Sequence, residues 1–330
     1  MSEHSLTPEQ VAALRPSFEA YLRKAKGVLI GTHVQPDGDA IGSSLALSLW
    51  LSKLGVENQV LCHHPAPPYL EFLPEIDRLV QSPTIEADTG VLVDLEAMER
   101  LGSLAAVFEG LPRLALVDHH VPHQRPGDLR IVAVNAPATA SILADLLEAA
   151  EPGLDADIAT CLATGLVTDT GSFRFPNTTP HALHQTARLV EVGADLAMIS
   201  QEAYLNKDDA AVRLLGLVLA RVRTAAEGKL AWATIPLQTF EQAGAEEFHT
   251  EGIVNEILSM RSTQVAFLLR EARPGKIRAS LRSKGAVDVA KIAQRFDGGG
   301  HRLAAGASFD GSLDSAEKAL SEAFLECLAS

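Results

Sequence analysis

Short apolar runs alternate with amphipathic segments through the first half of the chain. "GVLIGTH" (27–33) is strand-like, and "IGSSLALSLWLSKLG" (41–55) has helical spacing and stops at a glycine. "ENQVLCH" (57–63), "GVLVDLE" (90–96) and "RLALVDHH" (113–120) are further apolar runs of strand length, and "AMERLGSLAAVFEG" (97–110) carries a helical pattern between the last two. This rhythm predicts an α/β fold with a mostly parallel sheet covered by helices. "SILADLLEAAEPGLDADIATCLATGLVTDTGSF" (141–173) predicts two helices broken at Pro152-Gly153, with Asp169 ending the second. Another helix is expected over "HALHQTARLVEVGAD", stopping near Gly193, and a pair of linking helices over "LAMISQEAYLNKDDAAVRLLGLVLARVR".

A new pattern begins near Gly228. "KLAWATIP", "TQVAFLLRE" and "KIRASLRSK" are strand-like, "TEGIVNEILSM" and "VDVAKIAQRF" are helical, "DGGGH" is a loop, and "LDSAEKALSEAFLECL" is a closing amphipathic helix. The expected organisation is a larger domain over 1–195, a helical linker over 196–227 and a smaller α/β domain over 228–330, with a cleft between the domains. At the other end, Thr7, Pro8 and Gln10 form the signature of a capped helix start.

Polar groups gather where the apolar runs end. His33, Asp94 and Asp118 each stand at the end of a predicted strand, and in parallel sheets ligands bind outside the carboxyl ends of the strands. Adding their neighbours gives His33, Asp37, Asp39, Asp94, Asp118, His119, His120 and Asp169. These are oxygen and nitrogen donors without sulfur, which suit Mn²⁺ or Mg²⁺ rather than structural zinc. Each has a plainer reading by itself. Pro36-Asp37-Gly38 is ordinary turn chemistry, Asp39 or Asp94 would cap a following helix, and Asp169 would organise a turn. The chain's other histidine doublet, His63-His64, has no preceding acid and a proline-rich sequel, and is expected in a surface loop. His181 and His184 are expected on a helix, and His123 in a loop.

Charge and cysteine content narrow the function. Against 28 basic residues stand 42 acidic ones, a formal net charge of −14, which disfavours binding of long duplex nucleic acid. Three scattered cysteines without a CxxC imply neither a disulfide framework nor a zinc knuckle, so a reducing cytoplasmic setting is expected. The N-terminal stretch lacks the pattern of a secretory signal, and no apolar run is long enough for a membrane span, so no membrane association is expected.

In order along the chain, "HVQPDGDA", "VLVDLEAMERLG", "ALVDHHV" and "GLVTDTGSFRFPNTTP" resemble the four motifs of the DHH phosphoesterase superfamily. "KIRASLRSK" and "FDGGGHRLAAG" resemble its DHHA1 C-terminal domain. Among its members the chain is most similar to the oligoribonuclease (nano-RNase) and pAp-phosphatase group. That resemblance implies a hydrolase with two Mn²⁺ ions, for which Mg²⁺ or Co²⁺ would substitute. His33 and Asp37 would hold one ion, Asp39, His119 and Asp169 the other, and Asp94 would bridge them. His120 would lie near the scissile phosphate as acid or leaving-group stabiliser. Asp118 would orient a histidine, since adjacent residues at a strand end point different ways. Arg100 would contact substrate phosphate, and Arg282, Ser283, Gly299, Gly300 and His301 would recognise a terminal phosphate or base. Glycine suits the latter because it lets backbone N–H groups approach an anion, and arginine because its fork binds oxygens in pairs.

Water activated by the two ions would then hydrolyse very short RNA oligomers or 3′-phosphoadenosine-5′-phosphate (pAp). A manganese inorganic pyrophosphatase, a hydrolase of linear pGpG or pApA and a non-enzymatic nucleotide sensor are the alternatives. "GGGH" and "LRS" argue against the pyrophosphatase. A homodimer is a further expectation of the resemblance. Asp297 stands where the family often has a fourth glycine, and Leu95 where a small or polar residue is common; both leave the preferred substrate open.

Overall fold

The computed structural model describes residues 5–120, 126–150 and 152–329. They form two compact units, Met1–Asn206 and Lys207–Ser330. His123 lies outside the described residues. No described helix is long and apolar enough to cross a membrane.

The first unit opens with α1 (Pro8–Ala13), whose Thr7–Gln10 capping box forms as expected, and α2 (Arg15–Leu22). Its sheet contains β1 (Val28–Gly31), β2 (Asn58–Leu61), β3 (Leu79–Val80), β4 (Thr89–Val93), β5 (Arg113–Asp118) and β6 (Leu129–Val132). Their order is β3-β2-β1-β4-β5-β6, and every pairing is parallel. Val28, Ile30, Val91, Val93, Ala115 and Val117 face one core, while Leu29, Leu92 and Leu116 face another. Burial on both faces explains why these strands read as continuous apolar runs rather than alternating ones. The edge strands β3 and β6 lack such runs and escape the sequence reading. The order reverses between β1 and β4, so a crevice opens there at the carboxyl ends of the strands. His33 and Asp94 follow those two strands.

Four helices complete the frame of this unit: α3 (Gly38–Lys53), α4 (Ala105–Glu109), α5 (Thr139–Leu147) and α6 (Ala156–Asp169). The helix expected over 97–110 is instead a 3₁₀ stretch, Met98–Leu104, followed by α4, because Gly102 takes a φ of 60° and breaks the turn. Beyond α6 lie α7 (Pro180–Val192) and α8 (Leu196–Ser200), which runs into one π-helical turn, Gln201–Leu205.

Helices α3 and α6 cross at glycine. A Cβ on Gly42 would lie 2.4 Å from the carbonyl oxygen of Cys161, and one on Gly165 would lie 2.6 Å from Asp39 Oδ1. Backbones can meet this closely only without side chains, and the contact brings Asp39, near the start of α3, beside the end of α6. Gly42→Ala is therefore expected to destabilise the fold by about 1–3 kcal/mol, the usual cost of overpacking. Urea unfolding checks this; an unchanged midpoint would mean that the helices separate without cost.

In the second unit, α9 (Asp209–Leu219) precedes β7 (Arg223–Ala225), so a strand occupies part of the stretch expected to be helical. There follow β8 (Leu230–Ile235), α10 (Leu237–Ala243), α11 (Ile253–Leu258), β9 (Val265–Arg273), β10 (Lys276–Ser283), α12 (Val289–Gln294), β11 (Gly299–Gly300), β12 (Ala304–Asp310) and α13 (Leu313–Ala329). The sheet order is β11-β12-β10-β9-β8-β7. "DGGGH" is thus not wholly loop: Gly299 and Gly300 pair with Gly306 and Ala305. Ile277, Ala279 and Leu281 enter the core with α12 and α13, so Arg278, Ser280 and Arg282 line the opposite face.

Candidate metal centre

Backbone geometry around the β1–β4 reversal aims all six residues expected to hold metal at one another. After β1 the chain turns so that Asp37 becomes the N-cap of α3, its Oδ1 accepting the N–H groups of Asp39 and Ala40 at 3.1 and 3.0 Å. Asp37 therefore takes the capping role that the sequence offered to Asp39, and Asp39 is buried within the first turn of the helix. Asp94 leaves β4 with a φ of 56°, a left-handed conformation that aspartate tolerates better than most residues. It caps no helix.

His33 and His119 are held alike. His33 Nδ1 lies 2.9 Å from the carbonyl of Val34, and His119 Nδ1 lies 3.2 Å from that of Ala136. A ring nitrogen facing a carbonyl carries the proton, so each Nε2 is a lone pair whenever the ring is neutral. His33 Nε2 is 3.5 Å from Asp94 Oδ2 and 3.9 Å from Asp37 Oδ1. His119 Nε2 is 3.5 Å from Asp94 Oδ1, 3.3 Å from Asp169 Oδ2 and 3.9 Å from Asp39 Oδ2. Two groups of donors result, His33–Asp37–Asp94 and Asp39–His119–Asp169, and Asp94 turns one oxygen towards each histidine.

The electrostatics of this cluster call for a cation. Burial, then Asp94 and Asp37, push the Asp39 carboxyl well above its ordinary range; burial, then Asp39, Asp37 and Asp94, do the same to Asp169. Burial also works against the Asp94 anion, yet the hydrogen bond from His33, whose own pKa Asp94 raises, and then the charge of His120 hold it below the usual range. His119 is lowered, by burial and then by His120, and so stays neutral as a ligand must. The donors fit one or two divalent ions of the hard to borderline kind: imidazole and carboxylate, no thiolate, histidine tautomers already set, and carboxylates that repel one another without positive charge.

His120 borders these donors, its Nδ1 3.5 Å from Asp94 Oδ1. Its Nδ1 is 2.8 Å from Asp118 Oδ1, which also accepts the His120 N–H at 3.1 Å. Burial lowers the pKa of the ring, but the Asp118 bond and the Asp94 charge outweigh it and push it up to about 10. Arg100 is half-exposed with Glu96 3.9 Å away, and its carbonyl accepts the Val34 N–H beside His33. Arg282 stands on β10 and Ser283 ends that strand, with Gly299 and Gly300 on β11 and His301 just beyond. Within the second unit the Ser283 N–H reaches the Leu303 carbonyl, and its hydroxyl accepts the Gly285 and Val287 N–H groups.

Residues outside the donor set support it. His64 Nδ1 accepts the Gln35 N–H at 3.1 Å, and His63 Nδ1 lies 2.7 Å from the Ser103 hydroxyl. The doublet lies in a loop as expected, and from there it ties the "HVQPDGDA" turn to the segment bearing Arg100. A lone histidine pair before prolines carries no signal for such a tie. Asn177 Nδ2 bonds the carbonyls of Asp169 and Pro137, fixing the end of α6, while Arg174 Nε bonds the Gly171 carbonyl within the same turn.

The chain is similar to known proteins over most of its length. The DHH family, N-terminal domain, matches residues 27–166, and the DHHA1 domain matches residues 228–330. The "bifunctional oligoribonuclease and PAP phosphatase NrnA" of Thermus thermophilus is 37% identical over 301 residues, covering 91% of this chain and 89% of that protein. The protein of the same name from Bacillus subtilis is 29% identical and covers 89% of this chain and 93% of its own length. The crystal structure of an exopolyphosphatase-related protein from Bacteroides fragilis has a TM-score of 0.88 at 25% identity, covering 99% of this chain and 98% of that one.

Proposed function

The chain belongs to the DHH family, with a DHHA1 domain following in sequence, and on that premise we propose that it hydrolyses very short oligoribonucleotides and pAp with Mn²⁺ as its metal. The observation that carries this reading is the Asp94 carboxylate, which offers one oxygen to each of two histidine-centred donor groups. The curated relatives named for both activities support the substrate class.

His33 and Asp37 would hold one ion and Asp39, His119 and Asp169 the other, with Asp94 shared. Bound divalent ions supply positive charge for phosphoryl oxygens and make water a better nucleophile at neutral pH. The remaining work falls to the chain's own groups. His120, kept protonated by Asp118, would hold a proton for the departing oxygen of the ester. Arg100 would orient the phosphate by paired N–H donation. Arg282, the Gly299-Gly300 backbone and His301 would read the far end of a short substrate. The strongly acidic net charge suits a small anion held by a few fixed donors better than a long strand.

The test is a substrate panel with purified protein and Mn²⁺. Mononucleotide is expected from an RNA dimer and phosphate from pAp, with little turnover of long duplex RNA. Linear pGpG and inorganic pyrophosphate complete the panel. Turnover of pyrophosphate alone would replace the reading with a pyrophosphatase. Tight nucleotide binding without turnover of any member would make the protein a sensor.

A further inference from the structure

Helix α5 begins without a side chain to cap it. Its N-cap is Ala138, so the first N–H groups of the helix have no local acceptor. Asp39 fills the gap from α3: its Oδ2 accepts the Thr139 N–H at 2.6 Å and its Oδ1 the Ala140 N–H at 2.9 Å. Ser43 donates to the same Oδ1 at 2.9 Å. The Thr139 hydroxyl, fully buried, turns the other way and donates to Asp94 Oδ1 at 2.9 Å. One residue therefore grips two carboxylates of the metal centre, by its backbone on one and its side chain on the other.

From this we infer that Thr139 is a positioning residue that sets the second metal position, the one formed by Asp39, His119 and Asp169. The inference rests on the metal-centre reading. The oxygen it holds on Asp94 is the one facing His119, 3.5 Å from Nε2, and the oxygen it holds on Asp39 is also the one facing His119, at 3.9 Å. A carboxylate oxygen has two acceptor directions. With one taken by the hydroxyl, Asp94 Oδ1 keeps a single direction for a cation, and the carboxylate plane cannot swing towards His33. Without the hydroxyl, Asp94 is free to turn both oxygens to the His33 side. Among the described residues the hydrogen bonds of Thr139 to the centre go to Asp39 and Asp94, not to His33 or Asp37, so its effect falls on one ion of the pair. Partners that orient metal ligands in this way are worth roughly ten- to a hundred-fold in metal affinity.

Calorimetric titration of the full chain with Mn²⁺ tests the inference, with electron paramagnetic resonance reporting spin coupling between paired ions. Wild type is expected to bind two ions and show the coupled signal. Thr139→Val and Thr139→Ala are expected to bind one ion at the wild-type affinity and the other about ten- to a hundred-fold more weakly, with the coupled signal lost at matched loading. Thr139→Ser, which restores the hydroxyl, is expected to recover both. Unchanged affinities and coupling in the folded Val and Ala variants would overturn the inference, as would equal weakening of both ions. Failure of Val and Ala alike to fold, while Ser folds, would assign Thr139 a structural role and also overturn it. If wild type binds fewer than two ions, the metal-centre reading itself fails and takes the inference with it.

Discussion

Asp94→Ala is expected to lower kcat/KM for an RNA dimer by on the order of a thousand-fold or more, about 4 kcal/mol of transition-state stabilisation. No other carboxylate in the cluster faces both histidines. Its Oδ2 lies 3.5 Å from His33 and its Oδ1 3.5 Å from His119, so its loss leaves two half-sites without a common ligand. Asp94→Asn would keep the shape and the Thr139 contact but surrender the charge and one oxygen, and should fall almost as far. Steady-state kinetics at saturating Mn²⁺, paired with a melting curve to show that the fold survives, checks both. Activity within tenfold of wild type would mean that Asp94 does not bridge.

The second large effect is expected at His120. Removing a general acid costs roughly 10²–10⁴-fold, and His120→Gln should lie in that range on an RNA dimer. A substrate whose leaving group departs without a proton, such as a p-nitrophenyl phosphodiester of a nucleotide, should suffer much less. Equal losses on both substrates would exclude the acid role. The pH profile gives a separate sign. The active form is protonated, so rate is retained below the pKa of His120 and falls as pH rises through it. Burial depresses that pKa, while the Asp118 bond lifts it up to about 10. Bound cations draw it down from there, so the informative quantity is the difference between variants. Asp118→Asn should move the alkaline limb to lower pH; no movement would separate Asp118 from the proton.

How much of this was legible in the chain differed between the two levels of structure. The buried strands β1, β4 and β5 carry apolar runs strong enough to read directly, and the charged residues at their ends mark the crevice. The edge strands β3 and β6 have little to bury and left no such mark. In the second unit β11 is two glycines, whose pairing is fixed by β12 and by no propensity of their own. The donor residues were legible because each motif carries its acids and histidines together. Their supports were not. Thr139, Ser43 and His64 act through hydrogen bonds spanning 100, 4 and 29 positions respectively, counted to Asp39 for the first two and to Gln35 for the third. Only the shortest of these lies within one helical turn, and serine in a helix announces nothing by itself. The Gly42–Gly165 crossing left a trace, glycine inside two helices where it costs stability, but a trace without an address until the helices are packed.

Asp37 holds a double employment that shapes how the site can be dissected. It begins α3 by capping two N–H groups and also stands 3.9 Å from His33 Nε2. An alanine there removes a helix cap, at about 1 kcal/mol, along with a donor to the centre. A drop in turnover would then confound a frayed helix with a missing ligand. Asparagine and serine are both good caps with poor affinity for a hard cation, so they cut the two jobs apart. Asp39 and Ala40 stay in helical register in those variants, and whatever activity is lost is chargeable to coordination alone.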